Sequence, residues 1–273
     1  MRAKKIPLYA FFIVLAALQV FPLLWLLDYS LVKSGELFGP DILLWPSPFQ
    51  WNNYVRAWVD GRIPLYLWNS TVVVVGSVVG STVFSFMIAY ACTRMRWRLR
   101  GLVYGVVMLG MVVPLHATLL PNFVWFNFFG LVNRLAGLII PYIAFTIAFN
   151  TLIFSGMLVN LPRSVEESAW LEGAGIGRLL ASIVAPMVLP AFATTIIMTF
   201  LNNWNEFIMA YTFISSDRLR TLPFAIIRFQ GQYSSEYAVQ FACLFLVAII
   251  PVVLYFVFNR WIIAGATAGA VKG

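Results

Sequence analysis

Long uncharged apolar stretches, separated by short clusters of charge, dominate the chain. They occupy residues 6–27, 63–93, 101–133, 135–162, 179–205 and 237–259. A helix needs roughly 20 mostly apolar residues to cross a bilayer core. Each stretch holds one such helix, and none holds two with a turn between them. The pattern predicts six transmembrane helices, over 7–31, 67–92, 102–121, 138–158, 187–212 and 239–262. Membrane β-strands would alternate apolar and polar residues at every second position, and these stretches do not. The predicted fold class is all-α, a polytopic membrane protein.

Composition agrees. Of 273 residues, 62% are hydrophobic and 10% charged, against about 45–50% and about 25% in soluble domains. Such a chain has too little polar surface to keep itself in water, and its 16% aromatic content excludes disorder. Cys92 and Cys243 each sit inside an apolar run, so neither a disulfide framework nor a four-ligand zinc site is available. The single histidine, His116, excludes any mechanism needing two imidazoles. No carboxylate lies within about twenty residues of it in sequence, and it reads as a hydrogen-bonded packing residue rather than a proton carrier.

The net charge of +8 invites a nucleic-acid reading, but the basic residues punctuate apolar runs instead of clustering on one water-facing element. They read as topology signals. Lys and Arg favour the cytoplasmic side, and an even number of spans puts both termini on one side. If that side is the cytoplasm, it receives Arg2, Lys4, Lys5, Arg94, Arg96, Arg98, Arg100, Arg163, Arg178, Arg260 and Lys272 against Glu166, Glu167 and Glu172. The outer loops keep a far smaller excess. Both termini are therefore expected in the cytoplasm, with the first apolar run an uncleaved anchor. The outer segment near 32–66 carries Trp45-Pro46-Ser47-Pro48 and Trp51-Asn52-Asn53-Tyr54, the aromatic and proline chemistry of a membrane interface. Arg94–Arg100 reads as a positive-inside anchor with some lipid-phosphate contact.

Nucleotide hydrolysis has no seat here. A phosphate-binding loop needs Gly-Lys-Ser/Thr, whereas the four lysines follow Ala3, Lys4, Val32 and Val271. The chain is not expected to be an enzyme; ATP and Mg would belong to another subunit, and no metal site is expected.

The inner connection 159–186 is the most informative stretch. Its sequence from Leu161 to Gly175 reads as a short amphipathic helix, with Pro162 and Ser164 suited to a helix start and Glu166 and Glu167 placed where the N-terminal dipole favours carboxylates. Helical spacing puts Glu167, Trp170, Leu171 and Ala174 on one face. Ser168, Ala169, Gly173 and Ala174 keep the surface low enough for another backbone to approach. Three carboxylates on the arginine-rich side of a membrane would be repelled by anionic headgroups, so the segment suits a protein socket. An ordinary interfacial helix is the competing reading.

Glu167-Ser168-Ala169, then Glu172-Gly173-Ala174, then Ile183 and Leu189-Pro190, resembles the EAA loop of bacterial and archaeal ABC importer permeases. Ser168 and Glu172 stand where that family has Ala and Asp. Asn53-Tyr54, Gly130-Leu131 with Asn133, Trp204-Asn205-Glu206-Phe207 and the tail 264–273 extend the resemblance to the carbohydrate-uptake branch, with the six-span maltose-type permease as its nearest pattern. The resemblance implies a type I permease fold forming one domain over 1–273. The loop 159–186 would seat a coupling helix in a cytoplasmic ATPase subunit. The implied ATPase-coupling residues are Glu166, Glu167, Ser168, Ala169, Trp170, Glu172, Gly173, Ala174 and Gly175, with Glu167 pairing with a basic residue of the cleft. Gly269, Lys272 and Gly273 of the tail would reach the ATPase interface. The implied partners are a second permease chain forming a heterodimer, two ATPase subunits, an extracytoplasmic solute-binding protein and a sugar, all at the cytoplasmic membrane.

In the fifth span Thr195, Thr199, Asn202, Asn203 and Glu206 fall at helical spacing on one stripe. Polar groups at membrane depth face a bundle interior or a water-filled cavity. The stripe fits interhelical hydrogen bonding, a sugar path lined by Thr199, Asn202, Asn203, Trp204, Asn205 and Glu206, or ion coupling through Glu206. Phe123, Trp125, Phe126, Phe128 and Phe129 read as interfacial anchors or as the border of the outer mouth. Three alternatives to a sugar importer remain at this point. One is a secondary transporter coupled to ions through Asp28 or Glu206, although the halves show no internal repeat. Another is a non-transporting assembly or signalling membrane protein, in which the match of the inner loop would be coincidence. The third is an ABC permease for a solute such as glycerol phosphate, to which Arg134 could contribute.

Overall fold

The structure is a computed structural model that describes residues 6–37, 42–229 and 236–270. Every apolar run of the sequence contains helix. In chain order the elements used below are α1 (Ile6–Ser30), α2 (Asn52–Val59), α3 (Ile63–Thr93), α4 (Arg100–Leu109), α5 (Leu119–Phe128), α6 (Ala136–Leu158) and α7 (Arg163–Leu171). They continue with α8 (Ile176–Met187), α9 (Leu189–Trp204), α10 (Ile208–Phe213) and α11 (Tyr237–Ala270). Among the described residues three helices are long and apolar enough to cross a membrane unaided, and up to five spans result if each of two bent pairs counts as one. The apolar segment Tyr237–Val253 is shorter, and α11 continues beyond it through the small-residue tail to Ala270.

Two predicted spans are broken rather than straight. The stretch expected as one helix over 102–121 bends by 92° between its two helical halves. Val113 lies there in the extended region, φ −79° and ψ 112°, because the ring of Pro114 clashes with a helical preceding residue. The stretch expected over 187–212 starts after an 83° bend at Val188 and is interrupted again at 205–207. Pro186 and Pro190 flank the first break, and neither has an amide hydrogen to continue the helical ladder.

The chain divides into two compact units. In the unit within 1–68 and 221–253, Tyr29, Val32, Leu37 and Ala238 form a small core, with Trp25 and Phe241 packed against it. The aromatic rings of Trp25 and Tyr29 lie 4.3 Å apart. Asp28, buried at the end of α1, accepts the backbone amides of Leu44 (2.6 Å) and Trp45 (3.0 Å). Asn53 donates to the carbonyls of Ser30 and Val32, each at 2.9 Å. Tyr54 shares a 2.6 Å hydroxyl contact with Ser30. The segment read as interfacial thus ties down the open end of α1, where the last carbonyls of a helix need donors. Arg56 hydrogen-bonds Glu236 and lies 3.7 Å from Asp60.

In the unit within 69–220, α3, α6 and α9 meet along a buried seam of small polar residues. Asn150 donates to Thr199 Oγ1 (3.0 Å) and to Ser81 Oγ (3.4 Å), Asn203 donates to Ser77 Oγ (2.8 Å), and Ser85 donates to the carbonyl of Ile147 (3.1 Å). Close approach makes these contacts possible: a Cβ at Gly80 would lie 2.4 Å from Ile143 Cδ1. Small residues at helix interfaces allow such packing where lipid supplies no hydrophobic drive between helices. The same three helices also share an aromatic cluster, Phe86, Phe154 and Phe192, with ring centroids 4.8–5.5 Å apart.

Candidate functional site

Two features of the second unit carry chemistry, a short acidic helix between spans and a polar cavity. The helix, α7, is Arg163–Leu171. Pro162 precedes it in the extended conformation, and no side chain caps its start; Ser164 lies inside the helix rather than at its cap. Its end is sharp. Gly173 adopts φ +79°, its amide donates to the Trp170 carbonyl (3.0 Å), and the Ala174 amide donates to the Ala169 carbonyl (2.9 Å). This pair of bonds is the Schellman arrangement, which needs a left-handed residue that glycine adopts at little cost.

The turn sorts the predicted coupling residues into two groups. Glu167, Ser168, Trp170, Glu172, Gly173 and Gly175 are exposed, and Leu171 beside them is 90% exposed. Ala169 and Ala174 are buried against Leu158, Leu179 and Val184. Ala174 therefore leaves the face that helical spacing assigned to it, because the helix stops before reaching it. The low surface they were expected to offer a partner faces this chain's own core instead.

Glu166 also points inward. Its Oε1 accepts a 2.7 Å hydrogen bond from Arg94 Nε, and Arg94 Nη2 contacts the same oxygen at 2.7 Å as an ion pair outside hydrogen-bond alignment. Tyr90 donates to Oε2 at 3.1 Å. The Arg94 side chain is 4% exposed and that of Glu166 13%. Arg94 is thus held in a protein ion pair rather than free for lipid phosphate. Glu167 makes no side-chain hydrogen bond or ion pair with any described residue.

The cavity, of about 610 Å³, opens where α9 breaks. Asn202, Asn203, Asn205 and Glu206 of the predicted path line it, joined by His116, Tyr142 and Thr146 and by the rings of Phe145 and Phe207. Thr199 and Trp204 do not. Thr199 is spent on Asn150, and Trp204 is buried and stacked on Phe200 at 5.1 Å. Thr195 bonds back to Ala191 in its own helix. The polar stripe accordingly divides along the helix: Thr195 bonds within its own helix, Thr199 bonds across to α6, Asn203 both bonds across to α3 and lines the cavity, and Asn202 and Glu206 are cavity wall.

Glu206 does two jobs at the break. Its carboxylate accepts the amides of Met209 (2.8 Å) and Ala210 (3.2 Å), which closes the start of α10, and Tyr142 donates to it from α6. A carboxylate so placed satisfies amides that the helix cannot. His116 Nε2 lies 3.8 Å from Glu206 Oε1, and the histidine side chain is 57% exposed. It lines the cavity rather than packing into a core. Sequence reasoning missed His116 and Tyr142 as wall residues, since 90 and 64 positions separate them from Glu206 and no local pattern joins them.

Other motif residues position elements. Asn133 donates its amide to the Phe213 carbonyl (2.8 Å) and accepts the Ser216 amide on Oδ1 (2.8 Å). Phe123 and Phe126 pack on Phe213, whereas Trp125, Phe128 and Phe129 are 61–77% exposed. Arg134 is exposed. Lys272 and Gly273 lie outside the described residues, and Gly269 falls in α11.

Residues 81–264 match the protein family described as binding-protein-dependent transport system inner membrane component. The chain is 32% identical to the sulfoquinovosyl glycerol transport system permease protein of Agrobacterium fabrum, over 93% of this chain and 89% of that one. It is 31% identical to the diacetylchitobiose uptake system permease protein of Streptomyces coelicolor, over 97% and 88%. It is 30% identical to the trehalose/maltose transport system permease protein of Thermococcus litoralis, over 99% and 98%. A crystal structure of a bacterial ABC transporter involved in the import of the acidic polysaccharide alginate shares the fold, with TM-score 0.80, 21% identity and coverage of 95% and 96%.

Proposed function

Because the chain belongs to the family of binding-protein-dependent transport system inner membrane components, we propose that it forms half of the membrane pathway of an ATP-driven sugar importer. The chain is a membrane subunit of a transport complex, not an enzyme. Energy comes from a separate ATPase, and solute is delivered by a binding protein. The sugar assignment rests on relatives named for sulfoquinovosyl glycerol, diacetylchitobiose and trehalose/maltose. The cavity wall supports it: the amides of Asn202 and Asn205 and the rings of Phe145 and Phe207 offer hydrogen bonds and apolar faces to a hydroxylated ring.

The whole of 1–273 acts as one permease domain, paired with a second, similar chain, with both termini in the cytoplasm. ATP and Mg bind the ATPase subunits, and the loop 159–186 carries the coupling. The observation behind this reading is the two-sided α7. Its inner side is anchored in the chain's own core, and its outer side presents Glu167, Trp170 and Leu171, an acid flanked by large apolar groups and lacking a partner among the described residues. Such a surface fits a cleft containing a basic residue and apolar walls. Gly269, Lys272 and Gly273 of the tail would add a second contact to the ATPase.

Truncating one partner of a buried charge pair at an interface costs about 2–5 kcal/mol, and reversing the charge adds repulsion to that loss. Glu167→Lys is therefore expected to strip the ATPase subunits from the purified complex while the permease still inserts in the membrane. Co-purification and membrane fractionation read both outcomes. Full retention of the ATPase by the variant contradicts the assignment.

A further inference from the structure

Glu166 and Glu167 are adjacent acids in one helix, yet their surroundings differ completely. Glu167 is exposed. Glu166 uses one carboxylate oxygen on Arg94 and the other on Tyr90, in a site where Arg94 is 4% exposed. Both partners belong to the last turn of α3 or the residue after it, and Glu166 lies in the first turn of α7. A helix C-terminus favours a cation and an N-terminus an anion. The Arg94–Glu166 pair therefore joins two helix ends with each charge on the end that stabilises it.

From this joint a continuous set of contacts runs back along α3. Phe86 packs on Phe154 of α6 and Phe192 of α9. Ser85 bonds the Ile147 carbonyl, Ser81 meets Asn150, and Ser77 receives Asn203. Asn203 is also part of the cavity wall. The acidic helix and the cavity are thus linked through one continuous helix, α3.

We propose that the Tyr90–Arg94–Glu166 cluster is a permanent clamp that makes α7 and α3 move as one body, so that displacement of α7 is delivered to the cavity wall. In this role Glu166 is a positioning residue that does not touch the ATPase. The proposal rests on the reading of α7 as the coupling helix, and it assigns the two adjacent acids to opposite sides of that helix.

The test uses the complete transporter purified with its ATPase subunits. Spin labels are placed at Met87→Cys, exposed on α3, and Ser164→Cys, exposed on α7, in a Cys92→Ser, Cys243→Ser background. Distances are measured without nucleotide and after trapping with Mg-ATP and vanadate. The clamp predicts one narrow distance, the same in both states. Glu166→Ala is expected to lose that narrow distance while keeping the ATPase bound. Tyr90→Phe, which removes one hydroxyl, is expected to give an intermediate width.

A distance that shifts between nucleotide states in the unaltered pair overturns the clamp. So does a distribution that Glu166→Ala leaves narrow, or loss of the ATPase from Glu166→Ala, which would make Glu166 a partner contact. If Glu166→Ala does not accumulate, Tyr90→Phe carries the same test, and an unchanged width there counts against the proposal. Retention of the ATPase by Glu167→Lys would instead remove the coupling-helix reading and leave the clamp measurement standing.

Discussion

At Gly173 a single backbone angle decides which way the loop after α7 faces. Its φ of +79° turns Ala174 into the core, leaving Glu167 and Leu171 outside. Nothing within 4 Å would meet an added Cβ, so the demand is conformational rather than steric. A non-glycine residue in the left-handed region costs about 1–2 kcal/mol. Gly173→Ala is thus expected to insert normally but to fray the loop, read as faster protease cleavage near 172–175 and weaker ATPase retention. Unchanged cleavage would show that the turn is held by other contacts. The sequence pattern carries the helix on to Gly175 and counts Gly173 only as a small surface residue, although a glycine in that place is a helix-stop signal that was legible there. The inward turn of Ala174 was not, because helical spacing says nothing once the helix has ended.

Among the elements, α9 shows how one polar stripe can divide between interhelical bonding and cavity wall. Asn203 donates to Ser77 across to α3, whereas Asn202 is exposed to the cavity. An interhelical hydrogen bond within a membrane is worth about 0.6–2 kcal/mol. Asn203→Ala should lower the thermal unfolding midpoint of the purified complex, whereas Asn202→Ala should leave it unchanged and reduce uptake of the cognate sugar. Equal shifts for both would refute the division. The apolar runs made the existence of the spans readable, since lipid demands an uninterrupted hydrophobic length. Their breaks were harder to place. Pro114, Pro186 and Pro190 are visible in the sequence, but a proline can bend, start or end a helix. Only packing selects the 92° and 83° bends. The pairing of Glu166 with Arg94 spans 72 positions and leaves no local trace; it needed the return of the chain after α6 to bring those residues together.

For the molecule as a whole, a polar cavity, a seam of hydrogen bonds and an acidic handle lie within one unit of a chain without a nucleotide-binding motif. The chain belongs to a binding-protein-dependent transport family, and in the function proposed above force would enter at α7 and solute would pass at the break of α9. In that proposal, docking of α7 on the ATPase is the contact on which transport depends. Leu171, 90% exposed at the end of α7, reports on it most directly. A photo-reactive amino acid placed there in the assembled transporter, irradiated with and without Mg-ATP, is predicted to form an adduct with the ATPase subunit. Adducts confined to lipid or to this same chain in both conditions would contradict that docking.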